Sequence, residues 1–414
     1  MTTRGAGAAG RPPGLRSVLA RPGYRRLFAA RTVSQVGDIA QFTTIALLIY
    51  ELTGSGIGVS GVALAEIAPV LLLAPLAGPL VDRLPRVQVM LAADMVRLAL
   101  AATLTLWHSD VAVVYAVAFG LSAGAVFFNP AAGSVLPSLV TDDELVAANS
   151  GIWSAAVLSQ IAMAPLAGLL AATAGFGWAF AVNAASFGLS AVLLCGLRAG
   201  EAPRPVTTAN IWTQGLEALR LLRSDRLLRS LAVAQALAAL SAGATSALLV
   251  VLAARQLDVT GAGYGLLLAA IGVGALGGPL LLSRLAAHVR DPRTVFGAFG
   301  LRGVVDLVLA TVTALPAAVA ALAVYGVGTS VGNVSFTSLL QSHVPDALRG
   351  RVLTAYDLIW HSMRLASLVL GGVLTDLFGI RFLFYTGGVL LLVAALAGLG
   401  AGPRSRAPGA IGPG

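Results

Sequence analysis

Twelve runs of mostly apolar residues dominate the sequence, at roughly 33–51, 58–81, 87–107, 111–134, 149–173, 176–197, 229–253, 263–286, 294–314, 316–340, 352–375 and 380–402. A helix rises about 1.5 Å per residue, and the hydrocarbon core of a bilayer is about 30 Å thick. Some 20 apolar residues therefore match one crossing. Backbone amides in hydrocarbon must be satisfied within their own segment, which makes each run a helix. The predicted fold is an all-α membrane protein with twelve transmembrane helices. Charged residues are 11% of the chain and apolar ones 57%, against roughly 25% charged in soluble proteins.

All 27 cationic residues are arginine, and the net charge is +9. In a soluble chain that charge would suggest nucleic acid; here no nucleic-acid partner is expected, because the arginines sit in loops and report topology. With the N-terminus inside, 22 arginines fall on the cytoplasmic side and only Arg255 and Arg381 outside, while Arg97, Arg302 and Arg364 lie within spans. Both termini are thus expected in the cytoplasm. The first 31 residues hold seven arginines and no signal-type apolar core. Arg16 to Arg31 could form a short basic helix on the membrane surface.

The expected organisation is a basic N-terminus (1–32), a six-helix bundle (33–197), a cytoplasmic linker (198–228), a second bundle (229–402) and a disordered tail (403–414). The linker carries Pro203 and Pro205, with an amphipathic stretch near Trp212 to Leu222. The two bundles look like repeats. Leu76-Ala77-Gly78-Pro79-Leu80 recurs as Leu276-Gly277-Gly278-Pro279-Leu280. Asn129, Ser134, Leu136, Val140 and Asp142 recur 204 residues later as Asn333, Ser338, Leu340, Val344 and Asp346.

Between spans 2 and 3, Gly78, Asp82, Arg83 and Arg86 match Gly-x-x-x-Asp-Arg/Lys-x-Gly-Arg/Lys-Arg/Lys, with Pro85 in the second Gly position and Val87 in the last basic one. This resembles the loop signature of the major facilitator superfamily. Three further stretches are similar to its enterobactin and macrolide exporter branch, the transmembrane secretion effectors. They are Arg31-Thr32-Val33-Ser34-Gln35-Val36-Gly37-Asp38, Phe127-Phe128-Asn129-Pro130-Ala131, and Val344 through Val352 with its Arg349-Gly350-Arg351 core. An arginine that the family often carries after the second stretch is replaced by Ala132 and Gly133. The resemblance implies two pseudo-symmetric six-helix halves that rock about a central site. It also implies a cytoplasmic gate of Gly78, Asp82, Arg83, Arg86, Arg349 and Arg351, with Asp82 as a latch. The second half holds no acid between Gly278 and Arg284, so that latch is expected on one side only.

Charges within spans cost roughly 2.5–3.5 kcal/mol each on insertion scales, so they face the bundle interior or pair. Ser34, Asp38 and Gln41 share one face of helix 1, with Asp38 some six residues deep. Asp357, His361 and Arg364 form the densest polar stripe, on helix 11; a carboxylate, an imidazole and a guanidinium on one face could couple a proton to conformation. Arg364 needs a partner, and Glu66 of helix 2 enters from the opposite side at comparable depth. With helices 2 and 11 neighbours in the superfamily's arrangement, a Glu66–Arg364 pair is expected. Asp38, Glu66, Asp357, His361 and Arg364 are the proton-coupling candidates.

Asp94 with Arg97, and Arg302 with Asp306, read as pairs internal to helices 3 and 9 that fix structure. Substrate-contact candidates are Gln41, Asn129, Trp153, Gln160, Asn333 and Trp360; Phe42, Phe127, Phe128 and Phe336 are further aromatics. Gly120-x-x-x-Gly124 and Gly328-x-x-x-Gly332 allow close backbone approach.

Cys195 is the only cysteine, and no His-Glu-x-x-His or other metal spacing appears. No phosphate-cradling loop is present, and such a loop would need a lysine the chain lacks. No cofactor, metal or enzymatic activity is expected. The sequence predicts a monomeric multi-pass transporter of the cell membrane that exchanges protons for a small amphipathic or apolar organic compound, in the direction of export. Uptake by the same fold, and a non-transporting membrane sensor or secretion regulator, are the alternatives.

Overall fold

The structure, a computed structural model, describes residues 14–197, 222–284, 288–344 and 346–399. Most of the linker, the tail and the side chains of Gly78, Asp82 and Arg351 lie outside the described residues. Twelve helices in the described chain are long and apolar enough to cross a membrane. They are α1 (Pro22–Thr53), α2 (Gly56–Arg83), α3 (Arg86–Leu106), α4 (Val111–Val135), α5 (Leu145–Ala174), α6 (Phe176–Cys195), α7 (Arg226–Ala247), α8 (Ala262–Arg284), α9 (Pro292–Thr311), α10 (Leu315–His343), α11 (Asp346–Phe378) and α12 (Ile380–Leu399).

The basic stretch before the first span is not a separate surface helix. A short helix, Leu15–Leu19, is followed by α1, which runs unbroken from Pro22 for 32 residues. Proline fits a first turn because its missing N–H would have no helical partner there. Arg26 donates to the Gly196 carbonyl, so one cation of the basic stretch is tied to the end of α6. The earlier start places Asp38 near the middle of α1 rather than six residues in. The seventh span breaks at Leu248, after which Leu249–Arg255 forms a separate short helix.

Contacts divide the chain into two compact units. Unit 1 is Met1–Leu48 with Ala65–Val206, and unit 2 is Ile49–Leu64 with Thr207–Gly414. In unit 1, α3 packs against α4 and α6; in unit 2, α9 packs against α10 and α12. Each unit ties its first and fifth helices with a buried tyrosine. Tyr24 of α1 donates to the Ala148 carbonyl of α5 at 2.9 Å, and Tyr356 of α11 donates to the Leu228 carbonyl of α7 at 2.7 Å. Buried phenols need such partners. Around Tyr24 lie Met90, Phe128, Leu136 and Leu194; around Tyr356 lie Phe296, Phe299, Leu340 and Leu391.

The first turn of α2 belongs to unit 2. Asp376 of α11 accepts from the Gly56 N–H at 2.8 Å, the Ile57 N–H at 3.0 Å and the Ser55 hydroxyl at 2.6 Å. Arg255 lies 3.7 Å from the same carboxylate and donates to the Gly54 carbonyl at 2.6 Å. Gly54 turns the chain at φ +61°, a left-handed conformation that costs glycine nothing. Asp376 thus supplies, from a distant helix, the capping that orphaned first-turn N–H groups require. In an Asp376→Ala protein, amide exchange at residues 55–57 should accelerate at least about tenfold while Tyr24-core amides hold, as hydrogen–deuterium exchange would read; unchanged protection would remove Asp376 from this role.

Asp225 caps α7 by accepting from the Leu228 N–H at 2.9 Å, and its other oxygen is 2.9 Å from His343 Nε2. Burial alone would raise its pKa. The His343 hydrogen bond and the backbone N–H groups outweigh that and hold it below the usual carboxylate range. A depressed folded pKa gives stability that is present above the ordinary value of about 3.9 and lost as pH falls through the folded one. Thermal melts of wild type should therefore lose stability below about pH 4 more steeply than those of Asp225→Asn.

Candidate functional site

The interior of unit 1 holds an arginine between two acids. Arg97 of α3 has a side chain only 5% exposed, and its Nη2 contacts both oxygens of Asp38 from α1, at 2.7 and 2.8 Å. Its Nη1 lies 3.6 Å from Asp94, one turn away on its own helix. The Ser190 hydroxyl of α6 donates to the other Asp94 oxygen at 2.6 Å. The guanidinium carbon stands 4.0 Å from the centre of the Phe187 ring, a cation–π distance. Asp94 is fully buried, whereas the Asp38 side chain is 38% exposed. The outer member of the chain is therefore the one that can meet water or a ligand. Below it, Gln41 accepts from the Asn183 amide, and Ser186 donates to the Asn183 carbonyl at 2.8 Å.

Unit 2 repeats the buried arginine with different partners. Arg302 of α9 is 6% exposed and donates to the Tyr325 hydroxyl of α10 at 2.8 Å. Asp306, one turn on, accepts from the Ser241 hydroxyl of α7 at 3.3 Å. Among the described residues no carboxylate oxygen lies within 4.0 Å of the Arg302 guanidinium. Arg302 instead lines a cavity of about 190 Å³ with Gln235, Asn333, Phe336, Asp357 and Trp360. Phe336 packs edge-on against Tyr356, with centroids 5.1 Å apart.

The glycine pairs explain how both arginines fit. A Cβ on Gly124 of α4 would sit 2.6 Å from the Arg97 Cγ; one on Gly328 of α10 would sit 3.0 Å from the Arg302 Cγ. Each missing side chain is filled by the aliphatic stem of an arginine. Sequence spacing suggests pairs within one helix; the Asp94–Arg97 pair is present at 3.6 Å, and each arginine also takes a partner from another helix. Arg97 makes its close pair with Asp38 on another helix, and Arg302 makes its hydrogen bond to a phenol.

The predicted residues thus fall into groups. Asp38 and Gln41 lie in the unit 1 interior; Asn333, Asp357 and Trp360 share the unit 2 cavity. His361 is half-buried, and its Nδ1 has no hydrogen-bond partner. Glu66 accepts from the Ser122 hydroxyl through its backbone carbonyl. Glu66 belongs to unit 1 and Arg364 to unit 2. Asn129 and Trp153 are exposed and Gln160 is half-buried. At the expected gate, Arg83 is exposed, Arg86 reaches the Ser134 carbonyl at 3.5 Å and Arg349 donates to the Gln341 carbonyl at 2.6 Å. Arg97, Asp94, Arg302 and Tyr325 were not among the site candidates. The signal that could have found the arginines is the pair of glycines at matching positions in the repeat.

Removing the only partner of a buried charge costs about 3–5 kcal/mol; Asp94, 3.6 Å from Arg97, stays in place when Asp38 is removed and makes the cost smaller. Exposure of Asp38 reduces that figure here. Asp38→Leu should therefore lower the melting temperature of the purified protein, and Asp38→Leu with Arg97→Met should recover part of the loss. A double variant at least as unstable as the sum of the single ones would show that the pair is not coupled.

The model of the transmembrane secretion effector family matches residues 16–404. The multidrug efflux pump Tap of Mycobacterium tuberculosis is 28% identical over 409 residues, covering 93% of this chain and 96% of that protein. Among solved structures, a bacterial homologue of the iron transporter ferroportin in its inward-facing state aligns with a TM-score of 0.74 and 19% identity, over 92% of this chain and 98% of that one. The nucleoside transporter NupG aligns with a TM-score of 0.71 and 15% identity, over 91% of this chain and 98% of that one.

Proposed function

Because the chain belongs to the transmembrane secretion effector family of the major facilitator superfamily, and is a multi-pass membrane transporter of that type, we propose that it exports a small amphipathic or apolar organic compound in exchange for protons. The observation that carries the coupling is the Asp38–Arg97–Asp94–Ser190 chain in unit 1. Arginine stays charged throughout, so its position responds to which acid is ionised. Ionised Asp38 holds the guanidinium with two hydrogen bonds. Protonation of Asp38 cancels that hold and leaves Asp94 as the stronger attractor. The two arrangements differ by one proton and by where the guanidinium rests, which is what a two-state coupling element requires. Asp38 is the proton-accepting group of this reading because it is the exposed acid of the chain. Glu66, Asp357 and His361 are further groups that could take part.

Export as the direction is supported by the efflux pump among the relatives. Two six-helix bundles, residues 33–197 and 229–402, would alternate access to the substrate, with both termini in the cytoplasm. The arginine distribution supports that orientation.

The test is flux into proteoliposomes of purified protein under an imposed pH gradient, with amphipathic fluorescent dyes as substrates. Drug and siderophore sensitivity of a deletion strain would first narrow the choice of compound. Gradient-driven movement in the wild type should fall by about a hundredfold in Asp38→Asn, the loss expected when a proton-transfer group is removed. Flux that survives collapse of the gradient, or an Asp38→Asn protein that couples normally, would sink the proton-exchange reading.

A further inference from the structure

We propose that the cavity beside Arg302 is the subsite for a carboxylate carried on an aromatic ring of the transported compound. This deepens the transport reading above and rests on it for the word transported.

The repeat supplies the argument. Arg97 and Arg302 occupy matching places, each with its stem laid over a glycine of the following helix. In unit 1 the first helix reaches the guanidinium with a carboxylate, Asp38. In unit 2 the first helix, α7, contributes the neutral Gln235 to the cavity. Arg302 donates to a phenol, its Nε has no hydrogen-bond partner, and its nearest acid in sequence is already held by Ser241. Arg97 Nε is also unpartnered, so the difference between the units is that Arg97 has carboxylates within 4.0 Å whereas Asp306 and Asp357 stand farther from Arg302. A ligand carboxylate entering the cavity would stand to Arg302 as Asp38 stands to Arg97. Charge-assisted hydrogen bonds to a guanidinium are the strong kind, and more so away from water.

The walls give the rest of the chemistry. Phe336 and Trp360 suit a flat ring, and the Asn333 and Gln235 amides can each donate or accept. At about 190 Å³ the cavity is smaller than the roughly 300–1,000 Å³ of pockets that enclose drug-sized ligands, so it takes one ring-bearing end of a larger molecule. Asp357 is exposed where Arg302 is buried. A carboxylate at the cavity floor therefore meets Arg302, while Asp357 repels a bare acid and favours a compound with a basic group farther along.

The probes are 2-naphthoate and its neutral isostere 2-naphthamide, titrated by calorimetry into the full-length protein in nanodiscs at pH 7.5. Naphthoate should bind at least about tenfold more tightly, the factor a charge-assisted contact supplies. Arg302→Gln should abolish the preference. Should that variant fail to fold, Asp357→Asn decides: it should tighten naphthoate severalfold and leave naphthamide unchanged. Equal affinity for the two probes in the wild type, or an Asp357→Asn effect that does not distinguish them, would overturn the assignment. Absence of naphthoate binding by protein that still shows gradient-driven dye flux would overturn it while leaving the transport reading intact. Retained naphthoate preference without any flux would overturn the transport reading and leave this one.

Discussion

A guanidinium cannot shed its charge inside a membrane protein, so every buried arginine dictates what surrounds it. Arg97 and Arg302 set that condition once in each unit. The stem must be accommodated, which removes a side chain from the neighbouring helix and makes residues 124 and 328 glycine. The head must be satisfied, which draws polar groups from other helices: Asp38 of α1 and Asp94 of α3 in one unit, Tyr325 of α10 in the other. Serines of α6 and α7 then each donate to one oxygen of Asp94 and of Asp306. Most of the buried polar chemistry on the third and ninth helices follows from these two side chains.

The two solutions are not equivalent in charge. Around Arg97 two carboxylates stand within 4 Å of one cation, so that centre holds a surplus of negative charge when both are ionised. Around Arg302, Asp306 accepts from a serine, Asp357 lines the same cavity, and the close hydrogen-bond partner is neutral. That centre is the more receptive to an anion. Internal repetition keeps the scaffold of glycine, arginine and tyrosine-to-carbonyl ties, while the polar partners differ. The proposed division, protons in unit 1 and the acidic end of the substrate in unit 2, follows from those partners.

The fold was legible because span length is a property of single runs, and apolar runs of about 20 residues have few other uses. What failed was the start of α1. The basic stretch suggests a separate surface helix, yet Arg25, Arg26 and Arg31 lie on the same helix as the first span, where a long side chain can reach polar partners such as the Gly196 carbonyl. Asp38, Asn333, Asp357 and Trp360 were legible as polar or aromatic positions on otherwise apolar helices. Asp94 was legible as a partner of Arg97, whereas Asp38 and Tyr325, which lie on other helices, were not. A single sequence shows which residues share a helix face, and it does not show which other helix supplies the hydrogen bond. Spacing of three and four residues therefore favoured Asp94 and Asp306 by default.

The polar contacts differ in depth as well as in chemistry, and depth sets how much each costs to break. The Arg97 centre is dry on the arginine side, so separating it from both acids would leave a bare cation at a cost of several kcal/mol. It is held by both acids at once in this arrangement. Asp376, Arg255 and the first turn of α2 are joined by partly exposed groups that water can replace. Such contacts contribute about 1 kcal/mol or less each and are screened by salt. Segments that move are drawn from the weakly held end of a structure. Residues 49–64 meet that description: they are few, they belong to unit 2 by contact, and they run directly into the part of α2 that belongs to unit 1.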